Sequence, residues 1–271
     1  MLWDIRNGRV PLGDTFMSYV SFGRGEKAFI ILPGLSDGLA TVDGKALLLA
    51  WPYRAFFKRY TVYIFSRKER LEENCSIRDM AEDQAAALLA LGIQKASVMG
   101  VSMGGMIALS LAQTHPERVE RLVIALSAPR VNDMIRDNVT KWIAFAEKGD
   151  HKGLMIDTAE KSYSERKLRS YRKLYPFLGA VGRPRDYMRF LISARAILGF
   201  DAYEDLEKIK CPALIIGGAE DRIVGIGASY EMRDRIPGSD LYVYPGLGHA
   251  AYEEAPDLNG RVLSFLEGGG A

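Results

Sequence analysis

Ala96-Ser97-Val98-Met99-Gly100-Val101-Ser102-Met103-Gly104-Gly105-Met106-Ile107-Ala108-Leu109 is the stretch that decides how this chain folds. A short apolar, partly β-branched run leads into an apolar run with helical spacing, and the join carries Gly-x-Ser-x-Gly. At a sharp strand-to-helix turn the serine is held in a strained conformation. Gly100 and Gly104 have no Cβ to collide with the neighbouring strand and helix. The Ser102 hydroxyl then stands clear of the sheet edge. The helix that follows aims its N-terminal amides at the same point, so the Met103 N–H can stabilise negative charge on a substrate oxygen. That geometry suits a nucleophile.

On the N-terminal side, residues 15–22 read as a strand. Gly23-Arg24-Gly25-Glu26 reads as a tight turn into a second strand at 28–32, which predicts a hairpin. The second strand stops at the glycine-containing loop Pro33-Gly34-Leu35-Ser36-Asp37-Gly38. Residues 45–60 are apolar and partly helical after Pro52, and their aromatic cluster of Trp51, Tyr53, Phe56 and Phe57 reads as core packing. A buried strand follows at 61–65. Ser76 and Asp79 have capping-box spacing, and apolar positions recur at helical intervals from Ile77 to the stop signal at Gly92.

On the C-terminal side, the helix after Ser102 ends near His115-Pro116, and residues 122–126 form the next short strand. Strands and helices alternating through short connections imply right-handed crossovers and a mostly parallel sheet covered on both faces. The alternation breaks after Pro129. Residues 130–200 show helical spacing without strand runs, most clearly at 139–146, 154–163 and 187–198. Strands resume at 212–216 and 240–244. A last helix is predicted at 256–266, and Gly268-Gly269-Gly270 reads as a frayed tail.

Both late strands end in loops that carry chemistry. The first runs into Gly217-Gly218-Ala219-Glu220-Asp221-Arg222, placing acids at the sheet end where ligands bind in parallel α/β folds. The second runs into Pro245-Gly246-Leu247-Gly248-His249. Of the three histidines, His249 alone follows a glycine-bracketed turn after a strand.

With these residues the sequence resembles the α/β-hydrolase superfamily, from about residue 15 to 266. The resemblance implies a mostly parallel eight-stranded sheet with helices on both faces. It also implies a core at 1–128 and 204–271 with a helical cap at 129–203. It assigns Ser102 as nucleophile, His249 as general base and acid, and Asp221 as the carboxylate that orients the imidazole. Glu220 and Asp133 are the rival carboxylates. The second oxyanion donor in such enzymes comes from the loop after the early strand, here the N–H of Leu35, beside Met103. Two departures stand out: relatives commonly carry His-Gly where this chain has Pro33-Gly34. They also often carry Asp-x-x-Gly-x-Gly-x-Ser where this chain runs Ser66-Arg67-Lys68-Glu69-Arg70-Leu71-Glu72-Glu73.

The implied activity is a metal-free serine hydrolase, without cofactor, that forms an acyl-enzyme from a small-molecule acyl substrate, with a carboxylic ester as the first choice. C–C bond hydrolysis, aminopeptidase action, lactone opening and acyl transfer share the same triad. Haloalkane dehalogenases and epoxide hydrolases place Asp where Ser102 stands. A non-catalytic ligand-binding member of the fold is the reading from another class.

Composition limits the partners. With 271 residues, 48% of them hydrophobic, the chain can fill a sizeable core. A formal net charge of +2 is too mild for a nucleic-acid footprint. Residues 1–17 lack the apolar run of a secretory signal, and no stretch approaches the ~20 apolar residues of a membrane span. The two cysteines, Cys75 and Cys211, lie far apart and offer neither a disulfide framework nor a metal-ligand cluster, which points to a reducing cytoplasm. Cys75 reads as a surface or half-buried thiol and Cys211 as a small core residue. The predicted cap is rich in Lys and Arg, including Arg166, Lys167, Arg169, Arg172 and Lys173. These read as a solvated helix face rather than a collector of anionic substrates.

Overall fold

The computed structural model describes residues 3–269. Eight strands share one sheet: β1 (Arg6–Leu12), β2 (Thr15–Phe22), β3 (Lys27–Leu32), β4 (Tyr60–Lys68), β5 (Ala96–Val101), β6 (Val119–Ala125), β7 (Ala213–Gly218) and β8 (Asp240–Tyr244). Their spatial order is β1-β2-β4-β3-β5-β6-β7-β8. β1 and β2 pair antiparallel, as do β2 and β4, and every other pair is parallel. The ten α-helices among the described residues are α1 (Ala46–Ala50), α2 (Ile77–Ala90), α3 (Met103–Thr114), α4 (Asp133–Glu147), α5 (His151–Ser162), α6 (Glu165–Tyr171), α7 (Met188–Leu198), α8 (Ile226–Arg235), α9 (Ala251–Glu254) and α10 (Leu258–Leu266).

The strands alternate between two apolar layers because successive side chains point to opposite faces. Val98, Leu122, Ile124 and Ile215 join the layer beneath α2, α3 and α8. Met99, Val123, Leu214 and Ile216 join the layer beneath α1 and α10. Central strands buried on both sides explain the near-continuous apolar runs of β5 and β7, whose residues are all buried. The helical insertion α4–α7 lies between β6 and β7 in sequence. No helix among the described residues is long and apolar enough to cross a membrane.

Three expectations need correction. The hairpin between residues 15–22 and 28–32 does not form, because β4 lies between those strands. The intervening loop instead wraps the start of β4: a Cβ on Gly23 would lie 2.4 Å from the Tyr60 carbonyl oxygen, and one on Gly25 1.8 Å from the Arg59 carbonyl carbon. These glycines serve close backbone approach rather than a two-residue reversal. The true hairpin joins β1 to β2, with Leu12 opposite Thr15 and Gly13 at φ +63° in the turn. β1 escapes sequence detection because it is an edge strand that tolerates Pro11.

The tail is also ordered where it is described: Gly268 and Gly269 donate to the carbonyls of Phe265 (3.0 Å) and Ser264 (2.9 Å), closing α10. Gly270, like the first two residues of the segment read for a secretory signal, lies outside the described residues. The third correction exchanges the two cysteines, since Cys75 is buried and Cys211 is half-buried.

The capping box forms as expected. The Asp79 N–H donates to Ser76 Oγ at 3.1 Å, and the Ser76 N–H donates to Asp79 Oδ2 at 2.8 Å. Ser76→Ala should therefore lower stability by about 1 kcal/mol. A urea titration should show a lower midpoint with an unchanged slope, and an unchanged midpoint would contradict this role.

Candidate active site

Ser102 occupies the turn between β5 and α3 at φ 54° and ψ −123°. A non-glycine residue rarely holds such a conformation, which costs on the order of 1–3 kcal/mol and persists only where its surroundings impose it. Here the surroundings do. A Cβ on Gly100 would lie 2.1 Å from the Gly104 carbonyl oxygen, and one on Gly104 2.0 Å from the Leu32 carbonyl oxygen. The Ser102 N–H is tied to the Ala125 carbonyl at 2.9 Å. The side chain points toward the loops at the C-terminal ends of the strands.

Two of those loops meet it. His249 Nε2 lies 2.8 Å from Ser102 Oγ, and His249 Nδ1 lies 2.8 Å from Asp221 Oδ2. An ionised carboxylate only accepts hydrogen bonds, so Nδ1 carries the ring proton and Nε2 is free to accept from the serine hydroxyl. Asp221 Oδ1 accepts the N–H groups of Ile223 (2.8 Å) and Val224 (3.0 Å). Burial alone would raise the Asp221 pKa. The electrostatic attraction and hydrogen bond of His249, with the two backbone donors, outweigh that and hold it below its ordinary value.

The structure thus brings Ser102, His249 and Asp221 into one hydrogen-bonded chain. Glu220 is exposed beside it, and Asp133 is exposed in the first turn of α4. Leu35 is the first residue of a short 3-10 turn and Met103 is the first residue of α3. At both positions the backbone N–H lacks an intrahelical acceptor.

A cavity of about 400 Å³ opens over the serine. Ile31, Leu35, Val42, Leu49, Ile64 and Val101 give it an apolar floor, and Trp142, Met155, Thr158, Tyr163 and Tyr171 of the helical insertion roof it. Tyr53 also lines it, so the aromatic cluster read as core divides: Phe56 and Phe57 are buried, Trp51 is 58% exposed, and Tyr53 faces the cavity. Glu253 is the only acidic lining residue among those described, and no Lys or Arg lines the cavity. The Tyr163 hydroxyl donates to Glu253 Oε2 at 2.6 Å. Burial and this carboxylate push the Tyr163 pKa up, and burial pushes that of Tyr53 to about 12, so both phenols stay neutral.

The sequence offered no signal for Glu253 beyond its nearness to His249. Among the described residues no group of three or more His, Cys, Asp or Glu side chains could hold a metal ion. Burial and nearby carboxylates push the Cys75 thiol up to about 11, which disfavours its thiolate form.

Residues 29–258 match the Alpha/beta hydrolase family, and the chain belongs to it. It is 28% identical over 255 residues to a Caulobacter sp. (strain K31) protein provisionally named carbamate hydrolase RutD, covering 86% of this chain and 90% of that one. It is 30% identical over 191 residues to the 2-hydroxy-6-oxononadienedioate/2-hydroxy-6-oxononatrienedioate hydrolase of Burkholderia vietnamiensis (strain G4 / LMG 22486), covering 67% of this chain and 66% of that one. In structure it resembles the enol-lactonase from Burkholderia xenovorans LB400, with a TM-score of 0.82 at 20% identity over 96% of this chain and 100% of that chain. This last likeness concerns the fold alone.

A carboxyl held below its unfolded pKa stabilises the folded state above that unfolded value and loses the contribution as pH falls through the folded one. Compared with Asp221→Asn, the parent protein should lose urea stability more steeply as pH drops below about 4. Parallel stability profiles for the two proteins would contradict the coupling.

Proposed function

We propose that this protein hydrolyses an uncharged carboxylic ester through a covalent acyl intermediate on Ser102. The observation that carries the reading is the Ser102–His249–Asp221 chain, whose Ser102 and His249 line a largely apolar cavity. Ser102 Oγ attacks the ester carbonyl carbon while its proton passes to His249 Nε2. The carbonyl oxygen becomes an oxyanion, received by the N–H groups of Leu35 and Met103. Collapse breaks the bond to the alcohol, which departs with the proton from His249. Water then attacks the acyl carbon with His249 again acting as base, releasing the acid and restoring Ser102. Asp221 keeps the imidazole in the required tautomer throughout. The unpaired cysteines support a reducing, cytoplasmic setting.

Charge selects among the related chemistries. A dioate, as named for the Burkholderia vietnamiensis relative, would bring carboxylates into a cavity lined, among the described residues, by Glu253 and by no Lys or Arg. Desolvating an anion there without a partner is unfavourable. The basic side chains of the insertion lie outside the lining, which supports their reading as a solvated face.

Two outcomes follow. Ser102→Ala should lower turnover of a p-nitrophenyl ester by about 10⁴-fold or more and abolish labelling by a fluorophosphonate probe. Unchanged turnover refutes the mechanism, and an unlabelled, folded parent protein favours the non-catalytic ligand-binding alternative. Glu253→Gln should raise kcat/KM for an ester bearing a distal carboxylate roughly fivefold relative to its neutral analogue at low salt, the equivalent of about 1 kcal/mol for one charge pair near 4 Å. Equal effects on both substrates would remove Glu253 as a charge filter.

A further inference from the structure

Behind the turn that carries Leu35 lies a buried ionic cluster that the reaction scheme leaves unused. The side chains of Arg67, near the end of β4, and of Asp37 are 3% and 1% exposed. Arg67 forks onto the turn, with Nη1 donating to the Pro33 carbonyl at 3.2 Å and Nη2 to the Gly34 carbonyl at 3.0 Å. Asp37 Oδ2 lies 3.4 Å from Arg67 Nη2. The same oxygen accepts the Arg67 backbone N–H at 3.1 Å and Arg189 Nη2 at 3.1 Å. Arg189 belongs to α7 of the helical insertion, and it also donates to the carbonyls of Asp37 (2.9 Å), Arg67 (3.2 Å) and Lys68 (3.2 Å). Gly38 completes the junction, because a Cβ there would lie 2.7 Å from the Phe190 Cα on α7.

The arrangement has a directional consequence. No cis peptide is present among the described residues, and in a trans peptide the carbonyl and the following N–H point opposite ways. Fixing the Gly34 carbonyl on Arg67 therefore turns the Leu35 N–H to the other side of the turn. On the Ser102 side the backbone is close, since a Cβ on Gly34 would lie 3.3 Å from the Ser102 Cβ. Burying the Arg67–Asp37 pair, with Arg189 half-buried against it, is a poor route to stability, because such clusters can often be replaced by apolar side chains without loss. A planar fork that sets two carbonyls at once is what Arg supplies and Lys does not.

We infer that Arg67 is the positioning residue of the oxyanion hole and that Arg189 makes its hold depend on the docking of helix α7. The inference rests on the serine-hydrolase reading above, in which the Leu35 N–H receives the oxyanion. Removing the clamp acts on the transition state and spares ground-state binding, so its signature is a fall in kcat with KM preserved.

The test compares the parent protein with Arg67→Met, Arg67→Lys and Arg189→Met. Circular dichroism verifies folding, p-nitrophenyl ester kinetics give kcat and KM, and a fluorophosphonate gives the rate of Ser102 labelling. Arg67→Met should lose about 10²-fold or more in kcat, with labelling slowed in parallel and KM within about threefold of the parent. Arg67→Lys should recover only part of the rate. Arg189→Met should show the same signature at smaller amplitude, and it carries the test if Arg67→Met does not fold. A folded Arg67→Met with parental kcat overturns the inference, as does a variant whose loss lies in KM alone, or full recovery by Lys. A parent protein that neither turns over ester nor labels is a separate result, which sinks the serine-hydrolase reading itself.

Discussion

The backbone at Ser102 is the constraint on which the proposed chemistry depends. A residue at φ 54° is strained by itself. It is held because Gly100 and Gly104 let β5, α3 and β3 approach more closely than any side chain would allow. The same closeness sets the first amide of α3 beside the hydroxyl. Local strain, tight packing and an unpaired N–H are thus three consequences of one turn. Stability spent there is returned by two apolar layers that cover both faces of the sheet.

The parallel topology turns this local feature into a site. Loops after β3, β5, β7 and β8 emerge at one end of the sheet, so residues distant in sequence can meet above it. His249 and Asp221 reach Ser102 by this route, and Asp221 is itself seated by two backbone donors from its own loop. The helical insertion closes the space from above with aromatic and aliphatic side chains, and among the described residues one carboxylate, that of Glu253, stands at the lining. The outside of the insertion is basic and its cavity face is not. Net charge read along the sequence therefore says little about the substrate.

Much of this was legible in the sequence, for identifiable reasons. Gly-x-Ser-x-Gly between an apolar strand and an apolar helix has few structural solutions, and α2 announced itself through its capping box. Spacing alone does not tell Asp221 from Glu220; in the fold Asp221 turns inward, where it accepts hydrogen bonds from Ile223 and Val224, and Glu220 faces solvent. The order of the first strands is hidden in the sequence because glycine-rich turns look alike whether they reverse the chain or let it pass another segment. The Arg67–Asp37–Arg189 cluster was invisible because its members are 30 and 122 residues apart along the chain. Its one trace was a charged stretch where relatives commonly carry glycines.

The most direct measurement is to mix the protein rapidly with an activated ester, quench in acid, and locate any acyl adduct by intact-mass and peptide-mapping spectrometry. The account predicts a single acyl group on the peptide containing Ser102, formed at a rate compatible with turnover and decaying with product release. Turnover without such an adduct, or an adduct carried by another residue, would contradict it.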